Sequence, residues 1–147
     1  MQTIEVTTDI DAPRSAVWET LTDFETYPEW NPFVTSATGQ FREGERVRVR
    51  IDPPAGRAMT FRPTVTVWEP EADLEWLGRL VVPGLFDGRH TFRLEELDGD
   101  RTRLVQRESF SGLLVGLLLN EEDIRAGFTA MNEAVRERAE ARTAVVA

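Results

Sequence analysis

Apolar and polar positions alternate along most of this chain, and where the alternation stops they recur at helical spacing. In the stretch Thr3 to Ile10, Ile4, Val6, Thr8 and Ile10 fall on one side and Glu5, Thr7 and Asp9 on the other, the pattern of a strand with one wet face. Pro13 suits the first turn of a helix, and Val17, Trp18 and Leu21 then cover one face of a helix predicted from Arg14 to Thr22. Tyr27-Pro28-Glu29-Trp30-Asn31-Pro32 predicts a second, very short helical turn, because the two prolines that frame it stop it extending. Strands are predicted next over Phe33 to Thr38, Arg46 to Ile51, Met59 to Trp68, Asp73 to Val82, Arg89 to Leu97 and Arg101 to Phe110. Pro63 implies an edge or a bulge in the third of these, and Asp98-Gly99-Asp100 is the strongest turn signal in the chain.

From Asn120 to about Arg142 the spacing changes to threes and fours: Ile124, Phe128, Met131 and Val135 make one apolar stripe, with Ala134 beside it. Asn120 is placed as an N-cap, and Glu121, Glu122 and Asp123 follow where the helix dipole favours negative charge. A helix of this length spans roughly 30 Å, and no other segment offers one. Seven strands joined by short turns predict an antiparallel sheet, since parallel neighbours need long crossovers. One face of that sheet must be covered, and only the long helix reaches along it.

The bulk composition fits one domain, residues 1–147, with a hydrophobic fraction of 41% and a charged fraction of 29%. The chain has no cysteine, which excludes disulfide and thiolate chemistry, and a single histidine, which with no cysteine cannot build a typical zinc site. No metal and no cofactor are expected. Seventeen basic residues, all of them Arg, stand against 26 acidic ones for a net charge of −9, so neither nucleic acid nor an anionic membrane is expected as a partner. Acid enrichment without lysine fits a halophile's protein or a GC-rich genome equally. No signal peptide and no apolar run of membrane-spanning length is read, and the cytoplasm is the expected compartment. No Gly-rich phosphate loop and no Gly-x-Ser-x-Gly elbow occurs, and Ser109 faces away from His90, so a Ser/His/Asp triad is weak.

Four stretches resemble a known family: IEVTTDIDAPRSAVWETLTDFETYPEWNPF, VTVWEPEADLEW, FRLEELDGDRTRLVQRESFSG and GFTAMNEAVRERAE. Together they cover nearly the whole chain, and the first is the most specific. They are similar to the SRPBCC superfamily of START-like proteins, in its polyketide cyclase/dehydrase-like branch. The resemblance implies an α+β helix-grip fold of the birch-pollen-allergen type. In it a seven-stranded antiparallel sheet wraps a long C-terminal helix, with two short helices after strand 1. It also implies a cavity between sheet and helix for a small hydrophobic molecule. It fixes no chemistry, because such proteins include carriers, receptors, cyclases and co-chaperones.

Strand alternation picks out the polar side chains that point inward. His90 shares a face with Phe92 and Leu94, while Gln106 and Glu108 share one with Leu104 and Phe110. Across the tight turn, His90 is expected opposite or diagonal to Glu108 or Gln106. Three readings stand: a self-satisfied polar group, an anchor for a ligand hydroxyl or carbonyl, or a His90/Glu108 acid–base pair. Trp76, Phe92, Phe110 and Trp30 are expected as ligand-binding cavity walls, with Phe128 and Met131 on the helix either as the opposite ligand-binding wall or, equally, as plain core. Trp76 shares its face with Leu74 and Leu80, and Gly78 between them leaves room. Gly127 costs the helix about 1 kcal/mol against Ala and gives room for a ligand or a close strand. Leu113 to Leu119 is read as a lip at the cavity mouth, as buried core or as a homodimer contact.

Three functions follow: binding or transport of a small hydrophobic ligand, a cyclase/dehydratase-type enzyme, or a protein-interaction module presenting the leucine run.

Overall fold

A computed structural model of the chain describes residues 1–79 and 84–146. The polypeptide runs β1 (Gln2–Ile10), α1 (Arg14–Leu21), a 3-10 turn (Phe24–Thr26), α2 (Tyr27–Trp30), β2 (Val34–Thr38), β3 (Arg48–Ile51), β4 (Met59–Phe61), β5 (Thr64–Glu69), β6 (Asp73–Arg79), β7 (Asp87–Asp98), β8 (Arg101–Ser111), α3 (Val115–Leu118) and α4 (Glu121–Val146). The expected α+β helix-grip is the observed one: antiparallel strands packed on a long C-terminal helix, with short helices after the first strand.

In one respect the strands differ from a single seven-stranded sheet. The stretch expected as one strand from Met59 to Trp68 is two, because Arg62-Pro63 interrupts the ladder and Pro63 has no N–H to donate. The strands therefore group as β1-β8-β7-β6-β5 and β2-β3-β4. The groups are tied where β5 begins: Val47 N–H donates to Pro63 O at 2.9 Å, Val65 N–H to Glu45 O at 2.9 Å and Gly44 N–H to Val65 O at 2.7 Å. Leu80, Val81 and Val82, the end of the strand predicted from Asp73, and Pro83 after them lie outside the described residues.

Closure comes from the ends of the chain. β1 pairs with β8 along its whole length, from Gln2 opposite Phe110 to Ile10 opposite Thr102. This brings the first strand beside the last and under α4. Phe128, Met131, Val135 and Ala139, at spacings of three and four, are all buried against the sheet. Asn120 caps α4 as expected, its Oδ1 accepting from Asp123 N–H at 3.1 Å. On the wet face, Arg103 bonds Asp9 at 2.8 Å, Arg89 bonds Glu75 at 3.0 Å and Arg93 bonds Asp73 at 3.1 Å. Such exposed pairs contribute at most about 1 kcal/mol each.

Gly127 has an explanation that needs no ligand. A Cβ there would collide with the ring of Phe33, so the glycine lets the chain entering β2 lie directly against the helix. Asn31 ties that entry: its Oδ1 accepts from Phe33 N–H at 3.0 Å and Val34 N–H at 2.9 Å. Tyr27 anchors the short helix by donating its hydroxyl to Leu21 O. Burial, and secondarily the charge of Asp23, pushes its phenol far above the ordinary range. A raised phenol contributes stability that is fully present below the unfolded-state value of about 10 and lost as pH rises past it. Tyr27 is the chain's one tyrosine. Tyrosinate absorbance should therefore appear only as the protein unfolds in alkali, and the Tyr27→Phe variant should lose that alkaline component of its stability curve.

A polar relay at the inner end of an apolar cavity

β7 and β8 pair so that His90 stands directly opposite Glu108, and Phe92 opposite Gln106. The alternation that carries Leu94 and Leu104 into the core therefore carries these polar side chains in too. His90 is only 2% exposed and Gln106 fully buried. The imidazole lies among rings: Trp76 from β6 at 5.3 Å, Phe128 from α4 at 5.1 Å and Phe92 stacked at 4.7 Å, centroid to centroid.

Both imidazole nitrogens are engaged. Nδ1 meets Glu108 Oε1 at 3.0 Å, and Nε2 meets Gln106 Oε1 at 2.9 Å. Gln106 Nε2 donates onward to Asn132 Oδ1 at 2.8 Å and to the Phe128 carbonyl at 3.4 Å. Asn132 Nδ2 then donates to the Val6 carbonyl and to Thr8 Oγ1, each at 3.2 Å. One chain of hydrogen bonds thus runs from Glu108 through His90, Gln106 and Asn132 to the backbone of β1. Asn132 is the functional candidate that the sequence reading missed. Its signal was present: it stands four residues after Phe128, a lone amide inside the apolar stripe.

Beside Glu108 lies a cavity of about 340 Å³. Its walls are Phe33, Val49 and Ile51 from the β2–β3 side, Met59, Phe61 and Pro63 along β4, and Trp76, Phe86 and Phe110 from the large sheet. Leu119 and Ile124 close it from the start of α4, and Arg57, Asn120 and Asp123 add polar groups to the lining. Gly78 and Gly88 both line it and are paired across β6 and β7. Two facing strand positions without side chains open this space. A Cβ on Gly78 would meet nothing closer than 3.9 Å, whereas one on Gly88 would collide with Glu108 Oε2. Gly78 leaves a hole, and Gly88 seats the carboxylate.

Of the residues expected as cavity walls, Trp76, Phe110, His90 and Glu108 line this space, and the others do not. Phe92, Phe128 and Met131 are fully buried core, because the middle of α4 lies directly on β1 and β8 and leaves no gap there. The helix contributes to the cavity only at its first turn. Gln106 sits behind His90 rather than beside the space. Trp30 is at the far end of the short helix, its ring under the Arg138 guanidinium at 5.4 Å and its Nε1–H donating to Thr26 Oγ1 at 2.8 Å. In the leucine run, Leu113 is 85% exposed, Val115 is buried and Leu119 reaches the cavity. The side chains of Leu117 and Leu118 lie outside the described residues. Among the described residues, no cluster of His, Asp and Glu has the arrangement of a metal site, and no helix is long and apolar enough to cross a membrane.

Solved structures share this architecture. An aromatase/cyclase from a Streptomyces species matches with a TM-score of 0.68 at 24% identity, covering 97% of this chain and 95% of its own. A Thermus thermophilus protein matches at 0.73 and 21%, over 96% and 99% of the two chains. A START superfamily protein from Mycobacterium smegmatis matches at 0.68 and 16%, over 99% of both. At these identities the likeness speaks for the fold alone. No curated protein matches the sequence. The model of the family described as polyketide cyclase/dehydrase and lipid transport does match, over residues 1–143. With that match over nearly its whole length, the chain belongs to the polyketide cyclase/dehydrase and lipid transport family.

Proposed function

We propose that this protein binds and carries a small, mostly apolar molecule in the cavity between β3, β4, the ends of β6 to β8 and the start of α4. One observation carries the reading: aromatic and aliphatic walls surround a space of about 340 Å³, and the pair of buried His90 and part-buried Glu108 meets it at one end. Apolar walls with a few placed polar groups are the usual build of a ligand site, and this space lies at the small end of the range of about 300–1,000 Å³ such sites span.

Gly78 supplies the test. A leucine at that position has room at its Cβ and projects into the cavity rather than the core. Gly78→Leu should fold with wild-type stability to within about 1 kcal/mol and lose uptake of hydrophobic ligands. Mass spectrometry of extracts from the two natively purified proteins, with fluorescent-probe binding as a second readout, checks this. Equal ligand loading of both proteins would sink the reading.

A second reading is favoured by the 3.0 Å contact between His90 Nδ1 and Glu108 Oε1. A proton held between an imidazole and a carboxylate at a ligand site is the equipment for acid–base steps of the cyclase or dehydratase kind. The distinguishing outcome is turnover that Glu108→Gln abolishes while ligand affinity persists.

A further inference from the structure

We propose that Glu108 Oε2, at the inner end of the cavity, acts there as a hydrogen-bond acceptor only, so that the ligand meets it with a hydroxyl or N–H group in preference to a carbonyl or ether. This rests on the cavity-binding reading and deepens it. At the far end of the relay stand two backbone carbonyls, of Val6 and Phe128, which only accept.

The Val6 carbonyl faces Asn132 Nδ2 at 3.2 Å, so that atom is the amide nitrogen and Asn132 Oδ1 is left to accept. Gln106 Nε2 fills it at 2.8 Å, and the same nitrogen also points at the Phe128 carbonyl. The orientation of Gln106 is therefore set twice, independently. Its Oε1 must face His90, and at 2.9 Å it accepts a proton that His90 Nε2 carries. With Nε2–H pinned, the imidazole nitrogen left to exchange a proton is Nδ1, against Glu108 Oε1.

Any proton between the pair lies on the line from Nδ1 to Oε1. Glu108 Oε2 is then either a carboxylate oxygen or the carbonyl oxygen of an acid whose proton faces Nδ1. It accepts in either case. Oε2 lies over the Cα of Gly88, where both residues line the cavity, and it takes no hydrogen bond from another side chain or backbone N–H among the described residues. A ligand hydroxyl placed there completes the relay, whereas a ligand carbonyl faces an oxygen and loses its water without replacement.

The test uses one bicyclic frame with three ends: 2-naphthol, 2-methoxynaphthalene and 2-acetylnaphthalene, titrated by calorimetry at mildly alkaline pH. The wild-type protein should favour the naphthol over the other two by on the order of tenfold. Glu108→Ala should bring that ratio close to one. Glu108→Gln should keep most of it. Next to a neutral imidazole whose Nε2 is pinned as donor, the new amide gives its N–H to Nδ1 and leaves its oxygen toward the cavity.

Nitrogen NMR of the chain's one histidine tests the relay without any ligand: Nε2 should carry its proton in the wild-type protein at every pH where the fold persists. A ketone preference in the wild type or in Glu108→Gln, or an unprotonated Nε2, overturns the inference even if the cavity binds all three probes. Failure of every probe to bind, with Nε2 protonated, overturns the binding reading and the ligand preference with it.

Discussion

Replacing Phe128 by alanine is expected to cost about 3–5 kcal/mol of stability, the usual range for a fully buried aromatic cut back to a methyl. Phe128 is completely buried, crossing Phe33 at 5.5 Å and His90 at 5.1 Å. Its loss would undo the contact of α4 with the entry to β2 and one wall of the imidazole pocket together. For a chain of this length the midpoint of thermal unfolding should fall by roughly 10 °C, at about 2–4 °C per kcal/mol. Calorimetry measures it directly. The expectation separates two roles that the helical spacing alone cannot. A cavity wall would lose mainly ligand affinity when truncated; a core residue loses stability first. Ile124, which does line the cavity, should show the opposite balance.

Asn132→Leu should be nearly as severe, about 2–5 kcal/mol. Leucine has similar bulk but none of the hydrogen bonds. The change strands the part-buried Val6 carbonyl and removes one of the two acceptors of the fully buried Gln106 Nε2. An orphaned buried polar group costs about 1–3 kcal/mol, and these are linked, so the loss is not a simple sum. Chemical denaturation checks the magnitude. Asn132→Leu combined with Gln106→Leu should be less destabilising than the two single changes added together, because the double variant no longer buries a half-satisfied amide.

These two predictions also show how far the sequence carried. Strand alternation located His90 and Glu108 on inward faces, and the Asp98-Gly99-Asp100 turn placed His90 opposite or diagonal to Glu108 or Gln106; the irregularity between Glu96 and Asp98 decides the register that sets it opposite Glu108. The rule of period two is strict, so a polar residue between Leu104 and Phe110 has nowhere else to point. The helix was equally legible as an amphipathic stripe with an acidic first turn.

What could not be read was where along that stripe the space would lie. Periodicity gives the buried face of α4 but not the point at which it lifts from the sheet. For that reason the stripe leaves Phe128 and Met131 open between cavity wall and core, while the cavity begins at Leu119 and Ile124. The pairing of Gly78 with Gly88 was half visible: Gly78 stood out inside a strand, while Gly88 fell just before the strand predicted from Arg89. Their adjacency depends on the β6–β7 register, which no short turn signal fixes. Pro63 was correctly read as a disturbance, and its missing N–H divides the strand in which it sits.

Amide NMR during titration with 2-naphthol tests most directly whether the space beside Glu108 is the ligand site. Shifts centred on Gly78, Gly88, His90 and the Trp76 indole, saturating with one equivalent bound, are the predicted result. Shifts centred on the arginine-rich outer face around Arg89 and Arg107, or on Leu113, with the cavity residues unmoved, would contradict it.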